Sequence, residues 1–407
     1  EVTLSHPGLL EQLRNENFDA AYGESMDMCI FVLLNRLGIE KFALTQSIVA
    51  FDGAFEFTGA PSVPSYVPGP SRAGSPTCRA FWYSRPFCHV HFGIRAIFSG
   101  TFLPTTLSFF PYSCKLPNIL SQDVLKNNSL VFMNAEPLVD FPKVTTHKII
   151  DIGGITVSSG HMALNKTWDE IISRRPKTVL MSFGSVAKSY MMPDEYKESI
   201  RAAFSRFPDV TFIWKYESPE DDIGKGIPNI VPVTWVPQND MLYDPRLSLF
   251  ITHCGAGSTT EATVAGVPLI VIPVMGDQRR NAQVVKRLGT GVTFDKDQLA
   301  TPDALVVAIN EVFANTKYAE SAKKTAELLA NRPFSMKEIF VRNMEFLAKF
   351  GPLRNLDHYG VQLNFFQYYL LDVIGAVAGV LLLGLTVILL ILRFIIRKLL
   401  GLVISGK

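Results

Sequence analysis

A chain of 407 residues is too long for one ordinary hydrophobic core, so two globular domains are the first expectation. With 39 basic against 37 acidic side chains, and no basic run interleaved with aromatics, nothing in the charge favours a nucleic-acid partner. An apolar share of 48% against 19% charged describes a folded protein with a membrane-like bias, and that bias has a local source.

In chain order, LLEQLRNENFDAAYGES reads as a helix and then a strand, GIEKFALTQS as a connection into a second strand, and NNSLVFMNAEPLVDFP as a third. Between them, Ser71–Asn118 shows no period and holds three of the five cysteines (Cys78, Cys88 and Cys114, beside Cys29 and Cys254). So long an irregular stretch is unusual within a compact domain; it reads either as a surface loop or as a mistranslated segment. The cysteines lack metal-ligand spacing, and their disulfide pairing stays open.

From Lys177 the pattern becomes regular. TVLMSFGS is a buried strand ending in a glycine turn, EYKESIRAAFSRF a helix and VTFIWKY a strand. NIVPVTWV is a strand carrying a proline, LSLFITH another, and STTEATVAG a helix closed by Gly266; PLIVIPV, NAQVVKRLG and GVTFD continue the alternation. Strands apolar throughout, alternating with helices, predict a parallel sheet covered on both faces. Ligands of such a sheet sit at the carboxyl ends of its strands, where His253 falls.

Val373–Leu392 is 20 residues without a charge, enough as a helix to span about 30 Å of hydrocarbon. Arg393, Arg397 and Lys398 follow, and no acidic residue occurs after Asp372, which places the tail in the cytosol and the body in a lumen or outside. The sequons at Asn127 and Asn165 agree with that orientation. Gly375 and Gly379 form a G-x-x-x-G that permits close helix packing and so a homo- or hetero-oligomer.

The chemistry concentrates around His253. Gly255 and Gly257 let the backbone approach a ligand, and the helix beginning there points unpaired N–H groups outward, an arrangement suited to a pyrophosphate. Glu261 lies on the same helix face and could accept hydrogen bonds from vicinal hydroxyls. Upstream, Trp235 supplies a stacking surface and Gln238 an amide; downstream, Asp277 and Gln278 follow another strand end, where they could read sugar hydroxyls.

Trp235–Gln278 resembles the donor-binding signature of the family 1 UDP-glycosyltransferases: W-x-P-Q, H-C-G-x-x-S-x-x-E and P-x-x-x-D-Q. FDAAYGES, PSVPSYVPG, FPKVTTHKIIDIGGI, VLMSFGS and YYLLDVIG are also family-like, and the text looks most like the nematode glucuronosyl- and glucosyltransferase branch. The resemblance implies an α/β GT-B fold, two facing Rossmann-like domains with a C-terminal transmembrane helix. The expected organisation is a partial acceptor domain over 1–150 (irregular at 71–118), a UDP-sugar domain over 151–350, a juxtamembrane segment over 351–372, the span over 373–392 and a cytoplasmic tail over 393–407.

Carried over by motif, Trp235 stacks uracil, Gln238 and Glu261 take the ribose, and His253 with Ser185 takes the phosphates beside Gly255, Gly257 and Ser258. Asp277 and Gln278 hold the sugar of UDP-glucuronate or UDP-glucose, a co-substrate, with no further cofactor and no metal. Gly257 stands where many relatives carry asparagine, so one side-chain contact near the phosphates is expected to be absent. The acceptor implied is a small lipophilic hydroxyl compound, and the implied location is the endoplasmic reticulum membrane.

The family's chemistry is an inverting displacement in which a histidine, oriented by a carboxylate, removes the acceptor's proton. Glu24 stands at the position of that carboxylate, where relatives usually carry aspartate. The histidine's own segment should lie well upstream of Glu24, and none of His6, His89, His91, His147, His161, His253 or His358 sits in that motif. The expectation is therefore an N-terminally truncated chain whose full-length parent is an enzyme. The alternative is an inactive form that keeps the UDP site and anchor and pairs with an intact relative.

Overall fold

The computed structural model describes residues 8–24, 28–47, 128–157 and 162–405. The stretch Ser71–Asn118, the segment Pro61–Gly69, the sequon at Asn127 and Cys78, Cys88 and Cys114 lie outside the described residues. The chain divides into two units, Glu1–Leu356 and Asp357–Lys407.

The first unit begins with α1 (Leu9–Asn15), β1 (Ala21–Glu24), α2 (Met28–Leu37), β2 (Phe42–Gln46), β3 (Leu130–Met133) and β4 (Ile149–Asp151). These strands form a parallel sheet in the order β1-β2-β3-β4. The chain then runs through α3 (Lys166–Ile172), β5 (Lys177–Ser182), α4 (Asp194–Phe204), β6 (Val210–Lys215), β7 (Ile230–Val233), α5 (Gln238–Leu242), β8 (Leu247–Thr252) and α6 (Ala256–Ala265). It continues with β9 (Leu269–Val271), α7 (Gln278–Leu288), β10 (Gly291–Thr293), α8 (Pro302–Ala314), α9 (Lys317–Ala330) and α10 (Met336–Phe350).

The second sheet is parallel throughout, in the order β10-β9-β8-β5-β6-β7. Its strands are continuous apolar runs because both faces are covered. Val179, Met181, Phe212, Trp214, Leu249 and Ile251 enter one core, and the alternate residues Leu180, Ile213 and Phe250 enter the other. Pro232 is tolerated because β7 is an edge strand, where a missing N–H leaves no central ladder bond unmade. Gly266 closes α6 at φ 75°, the left-handed conformation that glycine adopts without a Cβ penalty.

The first sheet is covered by α2 on one face, through Phe31 and Leu34 against Phe42, Leu44, Val131 and Met133. The other face is covered by α10, which the sequence grouping assigned to the second half of the chain. Leu347 is fully buried against Ala43, Leu130 and Phe132, with Ile339, Phe340 and Met344 packed around it. Truncating Leu347 to alanine is expected to cost about 2–5 kcal/mol. The Lys41 ammonium donates to Ala348 O (2.5 Å) at the end of α10, where a cation meets unpaired carbonyls.

The second unit comprises a short helix α11 (Phe365–Tyr368) and α12 (Leu371–Ser405). Residues Leu371–Leu399 of α12 are long and apolar enough to cross a membrane, and that apolar stretch is not buried against protein. The helix runs past Leu392 into the segment read as a tail, because no proline or cap interrupts the residues that follow. Gly375 and Gly379 both lie on α12 with open space where a Cβ would stand.

Candidate functional site

Numbered from β5, the second sheet has the strand order 3-2-1-4-5-6, and its direction reverses between β5 and β8. Loops leaving those two adjacent strands run to opposite sides and open a crevice at their carboxyl ends. Gly184 and Ser185 follow β5, and His253 and Gly255 follow β8, so the topology alone brings the two segments together.

The turn after β8 is sharply made. Cys254 takes φ 67°, uncommon for a residue with a side chain, and its carbonyl accepts a hydrogen bond from Asn281 Nδ2 (3.0 Å). Gly255 then serves as N-cap of α6. The imidazole of His253 is wedged between two glycines. A Cβ on Gly184 would stand 2.8 Å from His253 Cε1, and one on Gly255 would stand 2.5 Å from His253 Nε2. No larger residue fits at either place without displacing the ring.

Burial, and secondarily the positive charge of Lys215, push the His253 pKa down to about 4. The ring is therefore neutral near pH 7 and carries one N–H to offer an anion. Lys215, the last residue of β6, is buried and donates from Nζ to Gly184 O (2.6 Å). It lies 3.8 Å from the Glu217 carboxylate and 5.7 Å from the centre of the Trp235 ring. Sequence reasoning missed Lys215. The available signal was a charged residue ending an otherwise apolar strand.

Trp235 is 72% exposed, so it does not belong to the core and presents a flat face to solvent. Gln238, at the start of α5, donates from Nε2 to Ser258 Oγ (3.1 Å) and to Glu261 Oε2 (2.6 Å). Three residues singled out from the sequence thus form one hydrogen-bonded group. With both amide protons engaged, the Gln238 carbonyl is the end left to face a ligand. Ser185 and Gly257 are exposed, the latter with open space where a side chain would go.

Asp277 caps α7 and accepts a hydrogen bond from Asn281 Nδ2 (2.8 Å). Burial raises its pKa, an effect that the Asn281 contact and Arg280 oppose. Gln278 is buried and its Oε1 accepts from the backbone N–H groups of Val274 (2.8 Å) and Met275 (2.9 Å). Its NH2 is then the end available to a sugar oxygen. Asn281, absent from the sequence reading, links this pair to the turn at Cys254.

Glu24 ends β1 and accepts the backbone N–H of Ser47 (2.9 Å), tying the ends of two neighbouring strands. Cys254 is a free, fully buried thiol with its pKa pushed up to about 12 by burial, which makes it unreactive. Among the described residues no cluster of His, Cys, Asp or Glu could hold a metal ion.

A doubly wound parallel sheet whose strand order reverses between β5 and β8, with His253 and Gly184 meeting at that point, defines a Rossmann-like α/β protein. Solved structures share this architecture. Os79 from O. sativa, in complex with UDP, superposes with a TM-score of 0.58 at 17% identity, over 83% of this chain and 81% of that one. UDP-glucose: anthocyanidin 3-O-glucosyltransferase, in complex with UDP, gives 0.56 at 16% identity over 85% and 83%. The fold is GT-B.

The family model for UDP-glucoronosyl and UDP-glucosyl transferase matches residues 2–405, and the chain belongs to that family. Its relatives include the Caenorhabditis elegans protein ugt-48, a UDP-glucuronosyltransferase by name, 29% identical over 93% of this chain and 73% of the relative. UDP-glucuronosyltransferase 1A7 of Mus musculus is 27% identical over 92% and 69%. The family acts as enzymes on a UDP-sugar co-substrate.

Proposed function

We propose that the crevice at the β5/β8 reversal binds UDP-glucuronate or UDP-glucose for transfer to a small lipophilic hydroxyl compound. The observation that carries this reading is the His253 imidazole held between Gly184 and Gly255 at the start of α6. A neutral imidazole N–H, the amides of the helix start and the nearby Lys215 ammonium together favour a diphosphate. Trp235 supports uracil, the Gln238–Ser258–Glu261 group takes the ribose, and Ser185 lies beside the phosphate path. Asp277 and Gln278 read sugar hydroxyls, one as acceptor and one as donor.

In the transfer step the acceptor oxygen attacks the anomeric carbon and its proton passes to a base. The bond from that carbon to the UDP oxygen breaks with inversion, and UDP leaves with its charge held by the phosphate site. Glu24 matches, by motif, the carboxylate that orients the base, and the histidine motif that supplies that base is not found in this sequence. The domain reading places acceptor recognition on the first sheet and the donor on the second. α12 anchors the protein as a single span in the endoplasmic reticulum membrane, with the body luminal. Asn165 is an exposed helix cap whose side-chain oxygen accepts from Trp168 N, which leaves its amide nitrogen open to glycosylation.

Calorimetric titration of UDP into the full chain in detergent tests the donor site. Trp235→Ala and His253→Ala should each weaken UDP about 10-fold or more with the fold intact. Unchanged affinity in both would overturn the assignment. A second reading, an inactive partner of intact relatives, is favoured by the use of Glu24 as a strand tie. Turnover of UDP-sugar by the purified chain would exclude it.

A further inference from the structure

A turn from the first sheet grips the helix that carries Asp277 and Gln278. Residues 136–141 follow β3 and are shaped by Val139 N–H and Asp140 N–H donating to Glu136 O. Asp140, buried with its side chain 8% exposed, accepts from Arg280 Nη2 at 2.6 Å; Arg280 itself is 3% exposed. Two turns further along α7, Arg287 Nη2 donates to Val139 O and Asp140 O, both at 2.6 Å. The guanidinium groups of Arg280 and Arg287 lie 5.5 and 5.1 Å from the centre of the Phe141 ring. Just past α9, Arg332 pairs with Glu136 Oε2 (2.5 Å) and donates to Gly153 O (3.1 Å).

The position of this contact matters more than its strength. Arg280 sits in the first turn of α7, three residues from the cap Asp277 and two from Gln278. A buried guanidinium held by a carboxylate fixes both the direction and the rotation of the helix start. Rotating that start would move the Asp277 carboxylate and the Gln278 amide together. The uracil, ribose and phosphate groups belong to α5, α6 and the loops after β5, β7 and β8, and a single bond, Asn281 Nδ2 to Cys254 O (3.0 Å), joins α7 to them.

We propose that Asp140 and Arg280 are positioning residues for the donor sugar, a pair through which the first sheet sets the orientation of Asp277 and Gln278. The proposal rests on the reading of those two residues as the sugar-facing pair. A contact that only held the sheets together would matter equally for UDP and UDP-sugar. A positioning contact matters more for the sugar than for UDP.

The test measures affinity of the full chain in detergent for UDP, UDP-glucose and UDP-glucuronate. The variants are Asp140→Asn, Arg280→Lys, the double variant Asp140→Asn with Arg280→Gln, and Asp277→Ala as reference. Asp140→Asn keeps size and removes charge; Arg280→Lys keeps charge and removes the planar guanidinium, and carries the test should the first fail to fold. UDP affinity is expected to fall less than UDP-sugar affinity, because only the Asn281–Cys254 bond joins α7 to the UDP contacts. The ratio of UDP-sugar to UDP affinity should fall by about 3- to 10-fold in each variant, the size of one lost hydrogen bond. The double variant should be no worse than the single ones. Equal losses for UDP and UDP-sugar, or no change in the ratio while Asp277→Ala lowers it, would overturn the positioning role alone. An unchanged ratio in Asp277→Ala would overturn the sugar-facing reading, and the positioning role with it.

Discussion

Two glycines at one helix start, Gly255 and Gly257, should respond in opposite ways to the same added methyl group. Gly255 has φ −64° and ψ 149°, which alanine adopts freely, so Gly255→Ala carries no backbone penalty. Its Cβ would stand 2.5 Å from His253 Nε2 and 3.0 Å from Cε1, well inside contact distance. The obstacle is the tip of a side chain, so the fold yields cheaply by swinging the imidazole out. Little room is left towards β5, where even a Cβ added to Gly184 would stand only 2.8 Å from the ring. It must leave the notch, and with it goes a hydrogen bond to a charged ligand, about 1.5–3 kcal/mol. UDP affinity should therefore fall about 10- to 100-fold while melting stays close to the wild type. At Gly257 a Cβ meets nothing within 4 Å, so Gly257→Ala should leave UDP affinity unchanged and add up to about 1 kcal/mol of helix stability.

Calorimetric titration of UDP and thermal melting of the full chain check both arms. Combining Gly255→Ala with His253→Ala supplies the decisive control, because the methyl acts only through the ring. The double variant should bind no worse than His253→Ala alone. Equal affinities for the two glycine variants, or a further loss in the combined one, would refute the reasoning.

Trp235→Ala should weaken UDP by about 1–3 kcal/mol of lost stacking, yet barely change the melting temperature of the protein, since the ring is exposed. A large drop in melting temperature would instead return Trp235 to the core. Lys215→Met should raise the His253 pKa above about 4, because the lysine's positive charge holds it down; it should remain below 6.5, because burial is the larger cause. Proton NMR titration of the ring reads this directly, and an unchanged value would show that the charge is not felt. His253 has a folded pKa below its unfolded one, so the stability it contributes is complete above about pH 6.5 and is lost as pH falls towards 4. Between pH 7 and pH 5 the wild type should lose about 2 kcal/mol more than His253→Gln. Parallel pH dependence in denaturant titrations would count against a neutral, desolvated ring.

How much of this was legible before the structure depended on the range of the determining physics. Strands β5, β6, β8 and β9 are runs dominated by apolar residues, broken inside only by a hydroxyl side chain near the start of β5, β6 and β8, and Gly266 and Pro268 mark the end of α6 by local sterics, so a line of text suffices to place them. The same holds for His253 at the end of β8. The return of α10 to the first sheet was not legible, because an amphipathic helix records that it has an apolar face but not which sheet receives it. Neither was the pairing of Asp140 with Arg280. Each alone reads as an ordinary solvated charge, and only the superposition of the two sheets in space makes them partners.

Lys215 is the instructive intermediate case. All six residues of β6 are buried, and the sixth is a lysine. An ammonium cannot be taken out of water cheaply, so a lysine closing such a strand requires oxygen atoms waiting at that end of the sheet. Gly184 O and the Glu217 carboxylate are those oxygens. A strand that is uncharged and buried to its last residue and then charged therefore announces a polar site at its carboxyl end. In a doubly wound sheet that is also the end where ligands bind. The cost of burying a charge and the direction of the strand together point to Lys215 beside His253 from the sequence alone.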